Sequence, residues 1–158
     1  MMIAIIYISK HGTTETVALK LHKLLNSEEV HHIDLRANKN PDISQYNKII
    51  LGGSIHAGMI QRRMKSFCES NLESLLKKEI ALFLCCMEEG EKAIEQFNNA
   101  FPEILRMHSI KNEIIGGEFL FDKMNFLEKA IVKKIAGIKE NISKIDEQKI
   151  KELAGEFV

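Results

Sequence analysis

Hydrophobic residues in this chain form short continuous runs that alternate with segments of helical periodicity. The runs predict five strands, at Met2–Ile8, Val30–Leu35, Lys48–Gly52, Ile80–Cys86 and Glu113–Phe119. Four of these runs are nearly unbroken, which is typical of strands buried on both faces of a parallel sheet. The run that begins at Val30 contains His31, His32 and Asp34, so we expect it at a sheet edge.

Apolar residues at helical spacing predict five helices, at Thr13–Leu25, Gln61–Leu76, Glu91–Asn99, Lys123–Gly137 and Asp146–Phe157. Strands that alternate with helices predict one α/β domain over residues 1–158, with a doubly wound parallel sheet and helices on both faces. Five strands with a polar loop after the first favour the strand order 2-1-3-4-5. In that order a ligand binds at the switch point between strands one and three.

The loop after the first strand has the composition of an anion site. It consists of Ser9, Lys10, His11, Gly12, Thr13 and Thr14. Backbone N–H groups at a helix N-terminus bind phosphate, and serine and threonine hydroxyls add donors. The chain has no G-x-x-x-x-G-K-[ST] string, and no G-x-G-x-x-G follows the first strand. The alternative is structural, with Ser9 or Thr13 simply capping the helix.

Two further loops should face the same ligand. The loop after strand three reads G-G-S-I-H-A-G-M, and its glycines allow close backbone approach to a flat ring. Its predicted ligand contacts are Ser54, Ile55, His56, Ala57 and Gly58. The loop after strand four is predicted to form the opposite wall, with Cys86, Met87, Glu88, Glu89 and Gly90. A plain glycine turn is the alternative for the loop after strand three.

Composition narrows the possible partners and location. Lysine and arginine number 22, and aspartate and glutamate also number 22, so the basic excess of a nucleic-acid binder is missing. The three cysteines have no metal-site or disulfide-framework spacing, and we expect no metal. No signal-peptide pattern or membrane span is evident, so the expected location is the cytoplasm.

The predicted helix at 123–139 is amphipathic. Its apolar residues are Met124, Leu127, Ile131, Ile135 and Ile138, and its lysines are Lys123, Lys129, Lys133, Lys134 and Lys139. Peripheral contact with an anionic membrane, at the inner face of the cell membrane, is one interpretation. The other is a helix packed on the sheet, with its lysines solvated.

These segments resemble the flavodoxin superfamily over nearly the whole chain, and more specifically the flavodoxin-like, quinone-dependent protoporphyrinogen oxidases. The first loop, S-K-H-G-T-T-E, resembles the S-T-x-G-x-T of that group. The segment Y-N-K-I-I-L-G-G-S-I-H-A-G-M resembles its Y-D-x-V-[IV]-[IL]-G-[AG]-S-I-x-x-G. An insertion-like segment at about 119–139 is similar to its insertion in position and character.

The resemblance implies FMN as cofactor, with the phosphate on the first loop and the ring between the other two. It implies that the flavin, and no catalytic side chain, carries the chemistry. The implied activity is an oxidoreductase that acts on a flat apolar substrate or a quinone. Two alternatives stay open: a small electron carrier with a redox partner protein, and an interaction module without redox activity. The chain departs from many carriers because it has no tryptophan to cover the ring.

Overall fold

A parallel five-stranded sheet forms the centre of the computed structural model, which describes residues 1–27, 29–137 and 140–157. In chain order, these five strands and one short added strand, β4, are β1 (Ile3–Tyr7), β2 (Val30–Asp34), β3 (Lys48–His56), β4 (Met59–Ile60), β5 (Glu79–Cys85) and β6 (Lys111–Gly116). The sheet order is β2-β1-β3-β5-β6, while the short β4 pairs antiparallel with β3. The predicted order 2-1-3-4-5 and the edge position of the second strand are therefore confirmed.

Helices cover both faces of the sheet, as the unbroken apolar strands require. They are α1 (Thr13–Leu25), α2 (Arg62–Ser70), α3 (Leu72–Leu75), α4 (Gly90–Ala100), α5 (Glu103–His108), α6 (Phe126–Ala136) and α7 (Glu147–Gly155). Buried residues of α1 and α7 pack with Ile5 and Phe83 on one face. Buried residues of α2 to α5 pack with Ile49 and Leu82 on the other. The flavodoxin-like α/β architecture is thus confirmed.

Two predicted helical features differ from the structure. The predicted helix Gln61–Leu76 divides at Asn71, whose side-chain amide donates to the Phe67 carbonyl at 2.9 Å. The backbone of Asn71, at φ −110° and ψ 11°, departs from helical geometry and separates α2 from α3. The short α5, which begins directly after Pro102, was not predicted because six residues are too few for a clear period.

The predicted fifth strand at Glu113–Phe119 starts two residues too late and ends three residues too late, because β6 begins at Lys111. Strand β6 ends at Gly116, whose φ of +95° turns the chain out of the sheet. After Gly117 the chain forms β7 (Glu118–Phe119), which pairs antiparallel with β8 (Ile142–Ser143) in a separate two-stranded sheet. A 3₁₀ turn at Phe121–Lys123 and then α6 follow β7. We call residues 118–136 the docked segment.

Helix α6 begins at Phe126, three residues later than predicted, because Asn125 and Glu128 form a capping box. Four of its apolar side chains are exposed: Phe126, Leu127, Ile131 and Ile135. The interpretation in which this stripe packs on the sheet is therefore wrong. Ile138 and Lys139 lie outside the described residues. Within the described part of the chain, no helix has the length and apolarity needed to cross a bilayer.

Candidate functional site

Three loops meet at the carboxyl edge of three adjacent strands. The first loop (residues 9–14) follows β1, the second loop (54–58) spans the end of β3 and its turn, and the third loop (86–90) follows β5. Strand β3 lies between β1 and β5 in the sheet, so the three loops are neighbours in space. This is the edge at which doubly wound sheets bind ligands.

The first loop is shaped to present donors at the start of α1. Ser9 is only 4% exposed, and its hydroxyl accepts a hydrogen bond from the Gly12 N–H at 3.0 Å. Gly12, with φ at +103°, is the N-cap of α1, and no side chain caps the helix. The interpretation in which Ser9 or Thr13 is the cap residue is therefore wrong. The positive end of the helix dipole stays available to an anion.

Thr14 carries a buried hydroxyl without an adequate partner. The residue is fully buried, and within the described ranges its oxygen makes no hydrogen bond of ordinary geometry. The Cys85 thiol is its neighbour, and a thiol is a weak hydrogen-bonding group. A buried hydroxyl in this state costs free energy unless something else accepts from it. The position of Thr14 in the first turn of α1 makes an anion a suitable acceptor.

The second loop is a tight hairpin turn held by internal hydrogen bonds. Ala57 and Gly58 have φ values of +52° and +79° and connect the paired residues His56 and Met59. Gln61 fixes Ser54 from both sides: its amide donates to the Ser54 hydroxyl at 2.8 Å, and its oxygen accepts from the Ser54 N–H at 3.1 Å. The first two loops touch where the His11 and His56 rings meet edge to face, with centroids 5.6 Å apart.

His56 is held neutral in this arrangement. Burial lowers the pKa of His56 to about 4, aided by the nearby positive charges of His11 and Lys10 and opposed by Glu128. Its Nε2 lies 3.0 Å from the Ser54 hydroxyl. Because that hydroxyl already accepts from Gln61, it can donate to His56, which suits the neutral ring.

Stability is expected to fall as the pH drops through the window set by His56. The folded pKa of about 4 lies below the ordinary value of 6.5, so the unfolded chain binds this proton first. Stability is then lost between those pH values, by up to about 3 kcal/mol. Urea unfolding of the wild type and of His56→Gln at pH 7.5, 5.5 and 4.5 measures this loss. His32→Gln, on the exposed edge strand, is the control and should follow the wild type. Equal losses in all three proteins would contradict the expectation.

The third loop lines a cavity on the side of the sheet toward α4 and β6. This cavity, of about 380 Å³, is lined by Cys86 to Gly90 together with residues of α4, β6 and the chain from Lys144 to Lys149. None of the described residues that line it belongs to the first or second loop.

Glu88 and Glu89 are exposed and pair with Lys92 and Lys144. Burial raises the pKa of the Cys85 thiol to about 12 and also raises the pKa of Cys86, so neither favours a thiolate.

The docked segment contacts the first loop, which the sequence did not predict. Glu118 accepts a hydrogen bond from the Thr13 hydroxyl at 2.9 Å. Glu128 lies 3.0 Å from Lys10 Nζ and 2.9 Å from His11 Nε2. Such contacts join residues more than 100 positions apart and leave no local pattern. The one available signal was N-x-x-E at Asn125, which marks a helix start but not where that helix docks.

A family model described as a flavodoxin domain matches residues 4–146, and the chain belongs to this family. Among solved structures it is similar to oxidised flavodoxin 1 from Bacillus cereus, with a TM-score of 0.54 and 18% identity over 87% of this chain and 95% of that chain. It is also similar to the WrbA-like flavodoxin of Agrobacterium tumefaciens, with a TM-score of 0.55 and 14% identity over 97% and 94% of the two chains.

A larger protein shares the same fold. Rubredoxin oxygen:oxidoreductase from Desulfovibrio gigas aligns with a TM-score of 0.57 and 17% identity, over 98% of this chain but 36% of that one. At these identities the likeness concerns the fold. No curated protein sequence matches this chain.

Proposed function

We propose that this protein binds FMN and acts as a redox flavoprotein. The observation that carries the proposal is the buried Thr14 hydroxyl, which lacks an adequate partner among the described residues at the start of α1. Membership in the flavodoxin domain family supports a flavin as the ligand. The hydroxyl-rich loop after β1 lies at the β1–β3 switch point and lacks the G-x-G-x-x-G pattern. This favours a site for a mononucleotide over a site for a dinucleotide.

The first loop fits a phosphate group. The Ser9 and Thr14 hydroxyls and the N–H groups at the start of α1 would hold it, because they can donate, whereas the Thr13 hydroxyl already donates to Glu118. The second loop, with the Ala57–Gly58 turn, and the third loop would hold the ring. When bound, FMN supplies the electron-transfer chemistry, and this chain's residues bind and orient it and set its electrostatic surroundings.

Thr14→Val is expected to weaken FMN binding by about 1–2 kcal/mol, the scale of a lost hydrogen bond to a charged group. Valine keeps the shape of threonine and removes the hydroxyl. The same change should leave the apoprotein at least as stable, because a buried donor without an adequate partner is removed. Quenching of FMN fluorescence on titration with apoprotein gives the affinity, and thermal unfolding gives the stability.

Thr16→Val is the matched control for this experiment. The Thr16 hydroxyl already donates to the Gly12 carbonyl at 2.9 Å on the exposed side of α1, so FMN affinity should change less than about twofold. Unchanged FMN affinity in Thr14→Val would contradict the role of Thr14. A wild-type protein that does not quench FMN at micromolar concentration would contradict the flavin itself and favour an interaction module.

We further propose that the bound flavin exchanges electrons with a flat apolar substrate or a quinone, as in the quinone-dependent protoporphyrinogen oxidases. The support is the docked segment, which contacts the first loop through Glu118 and carries the half-buried Phe119 and Phe121. A small electron carrier that serves a redox partner protein is equally compatible with the family and fold.

The exposed stripe of α6 supports contact with an anionic membrane surface. Phe126 and Ile135 are 87% and 81% exposed, and Leu127 and Ile131 lie between them on the helix. Lys133 and Lys134 stand on the same helix and are exposed. An amphipathic helix with these features binds at a bilayer interface, and each lysine near an anionic surface contributes about 1 kcal/mol. Such contact would bring the site close to a lipid-dissolved quinone.

Two measurements on the FMN-loaded protein separate enzyme from carrier. For the enzyme we expect turnover with protoporphyrinogen as electron donor and menaquinone as acceptor. We also expect sedimentation with phosphatidylglycerol vesicles, and this sedimentation should be lost in high salt and in the double variant Lys133→Gln/Lys134→Gln. Neutral vesicles are the control. Absence of both effects, with rapid one-electron exchange with a ferredoxin-type protein, would favour the carrier.

A further inference from the structure

The docked segment brings a positive charge to the first loop. Lys123, the last residue of the 3₁₀ turn, has its Nζ 3.4 Å from the point where a β-carbon on Gly12 would sit. That point belongs to the N-cap of α1, where the donors of the loop converge. The ammonium group therefore lies beside the atoms that would surround a bound phosphate.

Lys123 differs from the other basic groups at the loop in having no acidic partner there. Lys10 and His11 both contact Glu128. In the described part of the chain, no carboxylate lies within 4.0 Å of Lys123 Nζ. The charge of Lys10 is thus offset by Glu128 before a ligand arrives, whereas the charge of Lys123 has no such partner.

We propose that Lys123 is a ligand of the FMN phosphate, supplied by the docked segment from outside the first loop. The inference rests on the proposed function, since it concerns the same site. The donors of the loop that face no carboxylate, the Ser9 and Thr14 hydroxyls and the backbone N–H groups, are neutral, while a phosphate monoester carries close to two negative charges at neutral pH. Lys123 provides the cation for a charge-assisted hydrogen bond, which is stronger than a neutral one.

The neighbours of Lys123 fix its position on the loop. On one side, Glu118 holds the segment through the Thr13 hydroxyl. On the other, Glu128 holds it through Lys10 and His11 and also caps α6 together with Asn125. Burial raises the pKa of Glu128, but hydrogen bonds from Lys10, the Asn125 N–H and His11 outweigh it and lower this pKa to about 2. Glu128 is therefore ionised, and the contact is complete, at physiological pH.

Paired titrations with FMN and riboflavin test the proposal, because the two flavins differ only in the phosphate. For Lys123→Gln we expect an FMN Kd about tenfold higher, with a riboflavin Kd within twofold of the wild type. Lys123→Arg keeps the charge and should recover most of the FMN affinity. Lys133→Gln removes the same charge from an exposed position of the same segment and should change neither Kd by more than twofold.

Each other outcome contradicts the proposal in a distinguishable way. An FMN Kd in Lys123→Gln within twofold of the wild type would remove Lys123 from the phosphate site while leaving FMN binding established. Equal weakening of FMN and riboflavin would assign Lys123 to the ring or to the fold. If the wild type binds neither flavin, the proposed function fails, and this inference fails with it. Thermal unfolding of each variant verifies that all are folded.

Discussion

Gly116→Ala is expected to destabilise the protein by about 3–5 kcal/mol. The φ of Gly116 is +95°, which an L side chain rarely adopts, and a β-carbon there would lie 2.0 Å from the carbonyl oxygen of Lys144. That oxygen belongs to the backbone, so the clash could be relieved only by moving the backbone at Lys144 away from the end of β6. Gly116 is also the residue whose carbonyl accepts from the Cys86 N–H at 3.0 Å, next to the third loop.

Urea unfolding measures this loss, and Gly155→Ala is the control. Gly155 ends α7, has no atom within 4 Å of an added β-carbon and has an ordinary φ. Alanine there should be neutral or should stabilise the helix by up to about 1 kcal/mol. If Gly116→Ala and Gly155→Ala had the same free energy of unfolding, the backbone at Lys144 would move to make room for the β-carbon without loss of stability, which would contradict the prediction.

Gly52→Ala is expected to destabilise by about 3 kcal/mol, through a side chain rather than backbone. A β-carbon on Gly52 would meet the Phe83 ring, with Cζ at 1.9 Å and Cε1 at 2.0 Å. Phe83 is fully buried on β5 directly across from Gly52, so its ring has no free space to enter. The ring of Phe83 occupies the space that a side chain at position 52 would fill, so this position requires glycine.

A double-mutant cycle with Phe83→Leu tests this explanation. Leucine is shorter and should cost about 1 kcal/mol alone, while it creates room for the β-carbon at position 52. The double variant should then lose at least about 1 kcal/mol less than the sum of the single losses. Strictly additive losses would show that the cost at Gly52 lies in the strand backbone and not in the ring of Phe83.

The arrangement of the sheet could be predicted because each strand carries its own signal. Unbroken apolar runs such as β1 and β5 require cover on both faces, and alternation with helices then limits the topology to a doubly wound sheet. The polar run of β2 identified the edge in the same way. The ends of elements were harder, because Gly116 ends β6 through its conformation, and the sequence alone does not state the sign of φ.

The candidate site was only partly predictable for a similar reason. Residues 9–14 have a local signature, since donors cluster at the start of a helix. Glu118, Lys123 and Glu128 contact that loop only because a segment distant in sequence folds back onto it. A single sequence contains no local pattern that predicts such long-range contacts. The exposure of the apolar residues of α6 could not be predicted either. An amphipathic pattern shows that a helix has an apolar side but not which surface covers that side.

The pairing of β7 with β8 also bears on how this protein can be altered. Glu118 lies opposite Ser143, and Phe119 lies opposite Ile142. The chain therefore departs from the main sheet and comes back to it through the paired strands β7 and β8. A two-residue hairpin turn between Phe119 and Ile142 should therefore close the β7–β8 pair without a change to any strand of the main sheet. Replacing residues 120–141 would remove Lys123 and Glu128 from the first loop and would change the surface offered to partners, while the three loops at the carboxyl edge of the sheet would stay in place.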